Sequence, residues 1–388
     1  MDNSMFDRFR MIIFSNELIS KQIHSLHLSN ANASWQIQPF LPRLSSAQLT
    51  DLQSLTLIEM TENNLELIKS VLPFLSRLTS FHYTGYDKQI DEIVFLLPMT
   101  ELIVLTIPEL PEDVKIITKL SSITHLTVSS VNLGKLIPVL GQASQLRHLK
   151  AEQWDEDSYE REDILDQSSL RNAAIRLEQL TIEFHYSTSG FFGGIFHQTP
   201  HLTTLKIDMF YSDNPIRAFQ WEELIELYLP CLHTFKFNFS YNGSTEFWPV
   251  QMWFEEFQDD FWVEEHHWHT EYSIGDGSAK IYTIPYISER YILKSSTYKY
   301  SHPSINHVDK YNHVTDLVVY PDALTEACQE RFPHVTSVIL LTPWYQKENL
   351  LMKRRHIESL KMVINLSQVT HMNIPKQLLK PSRLLEIF

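Results

Sequence analysis

The chain has 388 residues, of which 43% are hydrophobic and 20% charged, so it can bury a large core and is not an intrinsically disordered protein. Its 47 acidic and 32 basic residues give a net charge of −15. This balance argues against nucleic acid as a partner, because a duplex binder needs a basic face to displace condensed counterions.

The first 22 residues are predicted to form an N-terminal capping helix rather than an export signal. Charged residues interrupt MDNSMFDRFRMIIFSNELIS too often for a secretory segment, and the sequence has no run of 18 apolar residues for a membrane span. Cys231 and Cys328 are too few for a disulfide framework, which is typical of a reducing compartment. We therefore expect a cytoplasmic or nuclear protein with no membrane association.

A hexad of the form L-x-x-L-x-L recurs from residue 23 onward. Its copies begin at Ile23, Leu52, Leu78, Leu102, Ile123, Leu146, Leu177, Leu202, Leu232, Val314, Val335 and Val369. The fourth and sixth residues of each hexad alternate, as on one face of a short strand, and the segments between hexads have helical spacing. One such strand–helix unit cannot bury its apolar face alone. The sequence therefore predicts an α/β leucine-rich-repeat solenoid, a horseshoe with a curved parallel sheet and outer helices.

The repeats divide into two blocks. We predict about nine units over residues 23–238 and about three over residues 312–388, the last of which ends inside a helix-like segment. Residues 239–311 carry no hexad, and we predict that they form a small α+β insertion.

The hexads from Ile23 to Phe237 resemble those of irregular leucine-rich-repeat proteins of the F-box substrate-receptor type. The resemblance implies a non-enzymatic module that binds a protein or peptide and recognises substrates for a cullin-type ubiquitin ligase, reached through an adaptor that binds the F-box. The chain departs from this family because no F-box is visible in it. It also lacks the Asn or Cys that follows each hexad in the family, and carries Ala31, Met60, Leu110 and Val131 there instead. A stand-alone scaffold or regulatory adaptor with no ligase link is the alternative.

The third, fifth and seventh residues, counted from the start of each hexad, should point to the concave surface. In the N-terminal half they are mostly Ser, Thr and His. Further on, a lysine row lies beside a mostly acidic row, made of Lys150, Glu152, Glu183, Lys206, Asp208, Lys236 and Asn238. Two interpretations remain open. The rows either neutralise each other as surface ion pairs worth under about 1 kcal/mol each, or form a docking strip for a protein or peptide segment.

The segment 239–311 holds Trp248, Trp253, Trp262 and Trp268, half of the eight tryptophans. WFEEFQDDF predicts an amphipathic helix, and the alternation after it predicts three antiparallel strands with a turn at Asp276–Gly277. We expect the aromatic residues to form the core of this segment. An exposed aromatic pocket for a partner's anchor residue is the alternative.

His267, His269 and Glu271 are predicted to share a strand face, and these residue types can ligate a transition metal. No fourth ligand is identifiable by spacing, so we predict a solvated strand face with no metal and no other cofactor. The sequence has no G-x-S-x-G, H-E-x-x-H or C-x-x-C motif, and we do not expect an enzyme. An enzyme with its site in residues 239–311 is the remaining alternative.

Overall fold

The structure is a computed structural model of the chain. It describes residues 8, 12, 16–30, 49, 51–85, 90–111, 118–131, 133–154, 176–184, 189–209, 216–242, 247–275, 277–296, 298–301, 303, 310–325, 328, 330–341, 352–375 and 378. The chain divides into two compact units. The first comprises Met1–Phe184, Ser189–Leu205 and Leu224–Leu232, and the second comprises His185–Thr188, Lys206–Glu223 and His233–Phe388.

The first seven hexads all form strands, and each strand begins at the third residue of its hexad. The strands are β1 (Ser25–Ser29), β2 (Ser54–Ile58), β3 (Ser80–Thr84), β4 (Val104–Glu109), β5 (His125–Val131), β6 (His148–Trp154) and β7 (Gln179–Phe184). Each one pairs in parallel with the next. Equivalent hexad positions lie side by side, so that Leu55 pairs with Phe81 and Phe81 with Leu105.

The first unit contains the helices α1 (Glu17–Ser20), α2 (Glu62–Val71), α3 (Ile90–Leu96), α4 (Leu133–Gln142) and α5 (Ser189–His197). Helix α1 precedes β1, and the other helices follow strands of the sheet in the chain. The fourth and sixth hexad residues are buried, as at Leu55 and Leu57, and helix α2 buries Leu65 and Ile68. This repeat of parallel strand and helix confirms the predicted α/β leucine-rich-repeat solenoid. The predicted capping helix over residues 1–22 lies mostly outside the described residues, which include only α1 and a few neighbours.

The second unit extends the strand pattern with antiparallel additions. Its elements begin with β8 (Thr204–Met209) and α6 (Ala218–Tyr228), which both cross the unit boundary, and continue with β9 (Thr234–Asn242), α7 (Phe247–Glu255), β10 (Thr270–Gly275), β11 (Ser278–Thr283), β12 (Arg290–Leu293) and β13 (Tyr298–Tyr300). The sheet order is β8-β9-β11-β10-β13, and β9, β11, β10 and β13 pair antiparallel. Gly277 has a φ of 68° in the turn between β10 and β11, as the D-G signal predicts.

A second, four-stranded sheet contains the last three hexads. Its strands are β12, β14 (Asp316–Val319), β15 (Ser337–Leu340) and β16 (His371–Asn373), all parallel, and helix α8 (Arg354–Val363) lies between β15 and β16 in the chain. The third of the three predicted antiparallel strands covers RYILKSSTYKYS, from Arg290 to Ser301. That prediction is wrong for RYIL, because β12 pairs in parallel with β14. Strand β12 is a repeat strand whose hexad begins with Ser288 instead of an apolar residue, and it buries Tyr291 and Leu293.

Aromatic side chains form the core where α6, α7 and β9 to β11 pack. Phe237 stacks on Phe239 at 4.4 Å between ring centroids, and Trp262 lies 4.7 Å from Phe257. Trp262 and Trp268 are buried, so they belong to the core that was expected and not to an exposed pocket. Within the described part of the chain, no helix is both long and apolar enough to cross a membrane.

Candidate protein-binding surface

The outward face of the repeat strands consists of the third, fifth and seventh hexad residues. Thr56 and Ile58 on β2 are half-buried, whereas Leu55 and Leu57, which alternate with them, are buried. The alternation follows from the two-residue period of a strand, because successive side chains point to opposite sides of the sheet. The predicted candidate residues occupy these outward positions, and the structure separates them into two groups, one in each unit.

Lys150, Glu152 and Glu183 form an ion cluster in the first unit. The Lys150 Nζ lies 2.9 Å from a carboxylate oxygen of Glu152 and 3.9 Å from one of Glu183. About two-fifths of each side chain is exposed, with values of 43%, 39% and 38% in that order. The lysine is therefore satisfied by its own neighbours, which corresponds to the self-neutralising interpretation. An exposed pair of this kind contributes under about 1 kcal/mol.

Lys206 and Lys236 form a pair of neighbouring cations in the second unit. Lys206 is exposed and Lys236 is half-buried. Burial lowers the pKa of Lys236, and the charge of Lys206 lowers it further. Among the residues that the structure describes, no carboxylate forms an ion pair with either lysine. This pair therefore presents positive charge with no described carboxylate at ion-pair distance.

Asp208 and Asn238 are not exposed on the strand face, contrary to the expectation from their hexad positions. Asp208 is 7% exposed and Asn238 is fully buried, and the Asn238 side-chain amide donates to Asp208 at 2.7 Å. The reason is that β9 runs on past its hexad and pairs with β11, which places Tyr282 opposite Asn238. Tyr286 also packs here, and burial, followed by the charge of Asp208, raises its pKa well above the ordinary value. Asp208 therefore does not present an exposed carboxylate beside the two lysines.

A group of histidines on the outward face of the first unit was not among the predicted candidates. The rings of His125 and His148, at the third positions of adjacent hexads, stack at 4.2 Å between centroids. Burial lowers the pKa of His125, and the nearby His148 lowers it further. Burial, then the charge of His27, lowers the pKa of His82. For His125 and His148 the sequence signal was a histidine at the same position of adjacent hexads, since equivalent positions become strand partners. His27 and His82 share a hexad position too, but Thr56 lies between them.

His267 and Glu271 do not share a strand face, so that part of the sequence interpretation is wrong. His267 precedes β10 and has a φ of 56°, which breaks the alternation before the strand begins. Its Nδ1 lies 3.1 Å from the carbonyl oxygen of Val263. Glu271 is instead buried, where it forms an ion pair with Lys310 and accepts a hydrogen bond from the Tyr282 hydroxyl at 3.2 Å. Within the described residues, no group of three or more His, Cys, Asp or Glu is placed to hold a metal ion.

Comparison with known proteins identifies no family for the chain. No protein-family model matches the sequence, and no curated protein matches it. Among solved structures, internalin C2 from Listeria monocytogenes aligns over 61% of this chain and 93% of its own, with 14% identity and a TM-score of 0.35. Internalin F from the same organism aligns over 100% of this chain and 92% of its own, with 11% identity and a TM-score of 0.37. These scores are too low to carry an argument, so the assignment of the fold depends on the repeat and the strand pairing described above.

Proposed function

We propose that the chain is a non-enzymatic protein-interaction module, and that the Lys206–Lys236 pair on its strand face binds an acidic segment of a protein or peptide partner. The observation that supports this most directly is the contrast between the two charged groups. Lys150 is held by Glu152 and Glu183, whereas Lys206 and Lys236 have no carboxylate at ion-pair distance among the described residues.

The energetics of the lysine pair favour an external anion. Two like charges on neighbouring strands destabilise each other, and here burial, followed by the repulsion from Lys206, lowers the pKa of Lys236. A carboxylate or phosphate group of a partner would offset this repulsion at the moment of binding. Because the lysines are on the surface, the attraction should weaken steeply as salt is added.

The experiment is a titration with a fluorescent oligoglutamate peptide, comparing the wild type with the Lys206→Glu, Lys236→Glu double variant. We expect saturable, salt-sensitive binding that the double variant loses, while its melting temperature stays within a few degrees of wild type because neither lysine is in the core. The control is Lys361→Glu, which changes an exposed lysine on helix α8. Equal binding by wild type and double variant would overturn the assignment of the surface.

The finer hypothesis is that the module recognises substrates for a cullin-type ubiquitin ligase. It depends on the hexad resemblance alone, and neither the comparisons nor the described residues add support to it. The alternative is a stand-alone scaffold or regulatory adaptor. Affinity purification from native lysate with quantitative mass spectrometry separates the two: recovery of cullin-ligase subunits supports the ligase link. Their absence, with other partners lost in the lysine double variant, supports the scaffold.

The cellular location belongs to the same proposal. Cys231 and Cys328 are both free thiols and half-buried, which is consistent with a reducing compartment. We propose a location in the cytoplasm or nucleus. Fluorescence imaging of the tagged chain at native expression level tests this, and an extracellular or membrane-associated signal would contradict it.

A further inference from the structure

The second unit contains a small cavity between the end of the β10–β11 hairpin and strand β12. Its volume is about 100 Å³. A water molecule needs about 10–15 Å³ of such space, so the cavity has room for a compact polyatomic ion. Gly275 shapes one wall, because a Cβ at this position would lie 2.7 Å from the carbonyl oxygen of Ser295. The absence of a side chain at Gly275 thus allows the segment after β12 to approach the hairpin.

The cavity has a strongly basic lining. Lys280, Arg290, Lys294 and Lys299 contribute to it, and Glu330 is the one acidic residue among the described lining residues. Lys299 forms an ion pair with Glu330, and Arg290 lies 3.6 Å from a carboxylate oxygen of Asp316. Lys280 and Lys294 form no ion pair with any described residue. Two ammonium groups therefore face the cavity region without a contacting counter-charge.

Lys280 is the more enclosed of the two lysines. Its Nζ donates to the Tyr286 hydroxyl at 2.8 Å and lies 4.4 Å and 4.1 Å from the ring centroids of Tyr286 and Tyr291. The tyrosine rings give cation–π attraction but carry no full negative charge. The pKa of Lys280 is lowered to about 7, mainly by burial and also by the charge of Lys294, while the charge of Asp208 partly opposes both effects. Asp208 accepts the hydrogen bond from the Asn238 side-chain amide.

We propose that this cavity binds a phosphate-class dianion between the ammonium groups of Lys280 and Lys294. Two ammonium groups match the charge of a phosphate, which is about −1.5 to −2 at pH 7. An ammonium group also suits phosphate as a point charge, whereas a planar carboxylate favours the guanidinium fork, and Arg290 is already paired. Serine hydroxyls on several sides add donors of the kind that a tetrahedral oxyanion accepts, from Ser240, Ser273, Ser278, Ser295 and Ser296.

The site is separate from the lysine pair proposed to bind a protein, since neither Lys206 nor Lys236 lines the cavity. The two proposals can therefore fail independently. The phosphate group has two sources, a free ion or a phosphate monoester. Binding of both inorganic phosphate and O-phosphoserine would show that the mouth admits a carrier, and binding of inorganic phosphate alone would assign the site to the free ion.

The test is isothermal titration calorimetry of the full chain with inorganic phosphate, sulfate and O-phosphoserine. We expect a dissociation constant of about 1 mM or tighter for phosphate. Lys280→Met and Lys294→Met should each weaken binding by about tenfold or more, because each removes a charge-assisted contact. The matched control is Lys361→Met, which removes an exposed lysine outside the cavity and should leave the affinity unchanged.

A pH series with sulfate gives a second, independent readout, because sulfate keeps its charge while Lys280 titrates. The affinity should fall as the pH rises from about 6 to about 9, since the Lys280 ammonium loses its proton around its pKa of about 7. Tyr282, Tyr286 and Tyr291 stay neutral throughout, because burial raises the pKa of each. The fall should persist in Lys294→Met, which leaves Lys280 in place, and disappear in Lys280→Met.

Two results would overturn the proposal. The first is the absence of saturable phosphate or sulfate binding up to about 10 mM, a concentration well above the expected dissociation constant. The second is equal binding by the wild type and both cavity variants, which would indicate an adventitious ion only. Circular dichroism and thermal unfolding of each variant establish that a loss of binding is not a loss of fold.

Discussion

The two units differ in where their charged side chains lie, and the difference follows from the kind of core that each one contains. The repeats of the first unit bury mostly aliphatic side chains, such as Leu105 and Ile107, and hold the Lys150 cluster on the surface. The second unit buries tyrosines, and with them the Glu271–Lys310 ion pair, whose side chains are 2–3% exposed. An aliphatic core offers no hydrogen bond to a buried charge, whereas tyrosine hydroxyls do. A polar interior of this kind is the more sensitive of the two to substitution, because removing one hydrogen-bond or ion-pair partner leaves another buried polar group without its partner.

The largest expected effect tests the buried ion pair. Glu271→Ala leaves the Lys310 ammonium buried without its carboxylate, and should lower the free energy of unfolding by about 3–5 kcal/mol. The same change at Glu152, in the exposed cluster of the first unit, should cost under about 1 kcal/mol. Urea unfolding of both variants measures the contrast. A loss below about 1 kcal/mol for Glu271→Ala would mean that breaking the buried ion pair costs no more than breaking an exposed one.

The next effect tests the aliphatic repeats. Leu205 at the fourth position of its hexad is fully buried, and Leu205→Ala should cost about 2–5 kcal/mol, because it removes methyl groups and leaves a cavity. Its neighbour Lys206 points the opposite way, so Lys206→Ala should change stability by no more than about 0.5 kcal/mol. Chemical denaturation of both variants checks the strand register. A loss under about 0.5 kcal/mol at Leu205 would contradict it.

A smaller effect concerns the pH dependence of the polar core. The folded state lowers the pKa of Lys280 to about 7, below the value of about 10.4 expected for an unfolded chain, so the unfolded chain binds more protons between these values. The stability of the wild type relative to Lys280→Met should therefore rise with pH between about 7 and 9, by up to about 1.4 kcal/mol per pH unit. Unfolding curves at several pH values measure this slope. A difference that does not change with pH would refute the shift.

The smallest expected effect concerns the exposed ion cluster of the first unit. Lys150→Met removes the centre of the exposed cluster, and should change the free energy of unfolding by under about 1 kcal/mol, and by less at high salt. Thermal unfolding at low and high ionic strength provides the measurement. A loss above about 2 kcal/mol would show that the Lys150 cluster is structural, and the proposed contrast between the units would not hold.

Much of the fold follows from the sequence because the signal repeats. Every predicted hexad forms a strand, since the fourth and sixth residues of each need the same apolar environment. Strand β12 was predicted as an antiparallel strand and not as a repeat strand, because Ser288 replaces the leading apolar residue and leaves only Tyr291 and Leu293 to show the pattern. A repeat is recognised by comparing its copies in the sequence. A copy that lacks one of the apolar hexad residues is therefore missed, although its strand still pairs with that of the next copy.

The candidate surface was predictable in position but not in exposure. The hexad numbering correctly placed Lys206 beside Lys236, because equivalent positions in adjacent copies become neighbours. It could not show that Asp208 and Asn238 are buried, since their cover comes from β11 and the segment after it, which belong to no repeat. The cavity around Lys280 was hidden for the same reason. Its walls come from strands that the repeat pattern does not relate to one another.

The path of the chain through β12 and β13 limits how the protein can be shortened. Strand β12 pairs with β14, and β13, which follows it, pairs with β10 in the other sheet. Residues 239–311 thus contribute strands to both sheets of the second unit. A deletion of residues 239–311 would remove the edge strand of one sheet together with three strands of the other. The segment therefore cannot be deleted without removing strands from both sheets, and a shortened version of the protein must keep it whole.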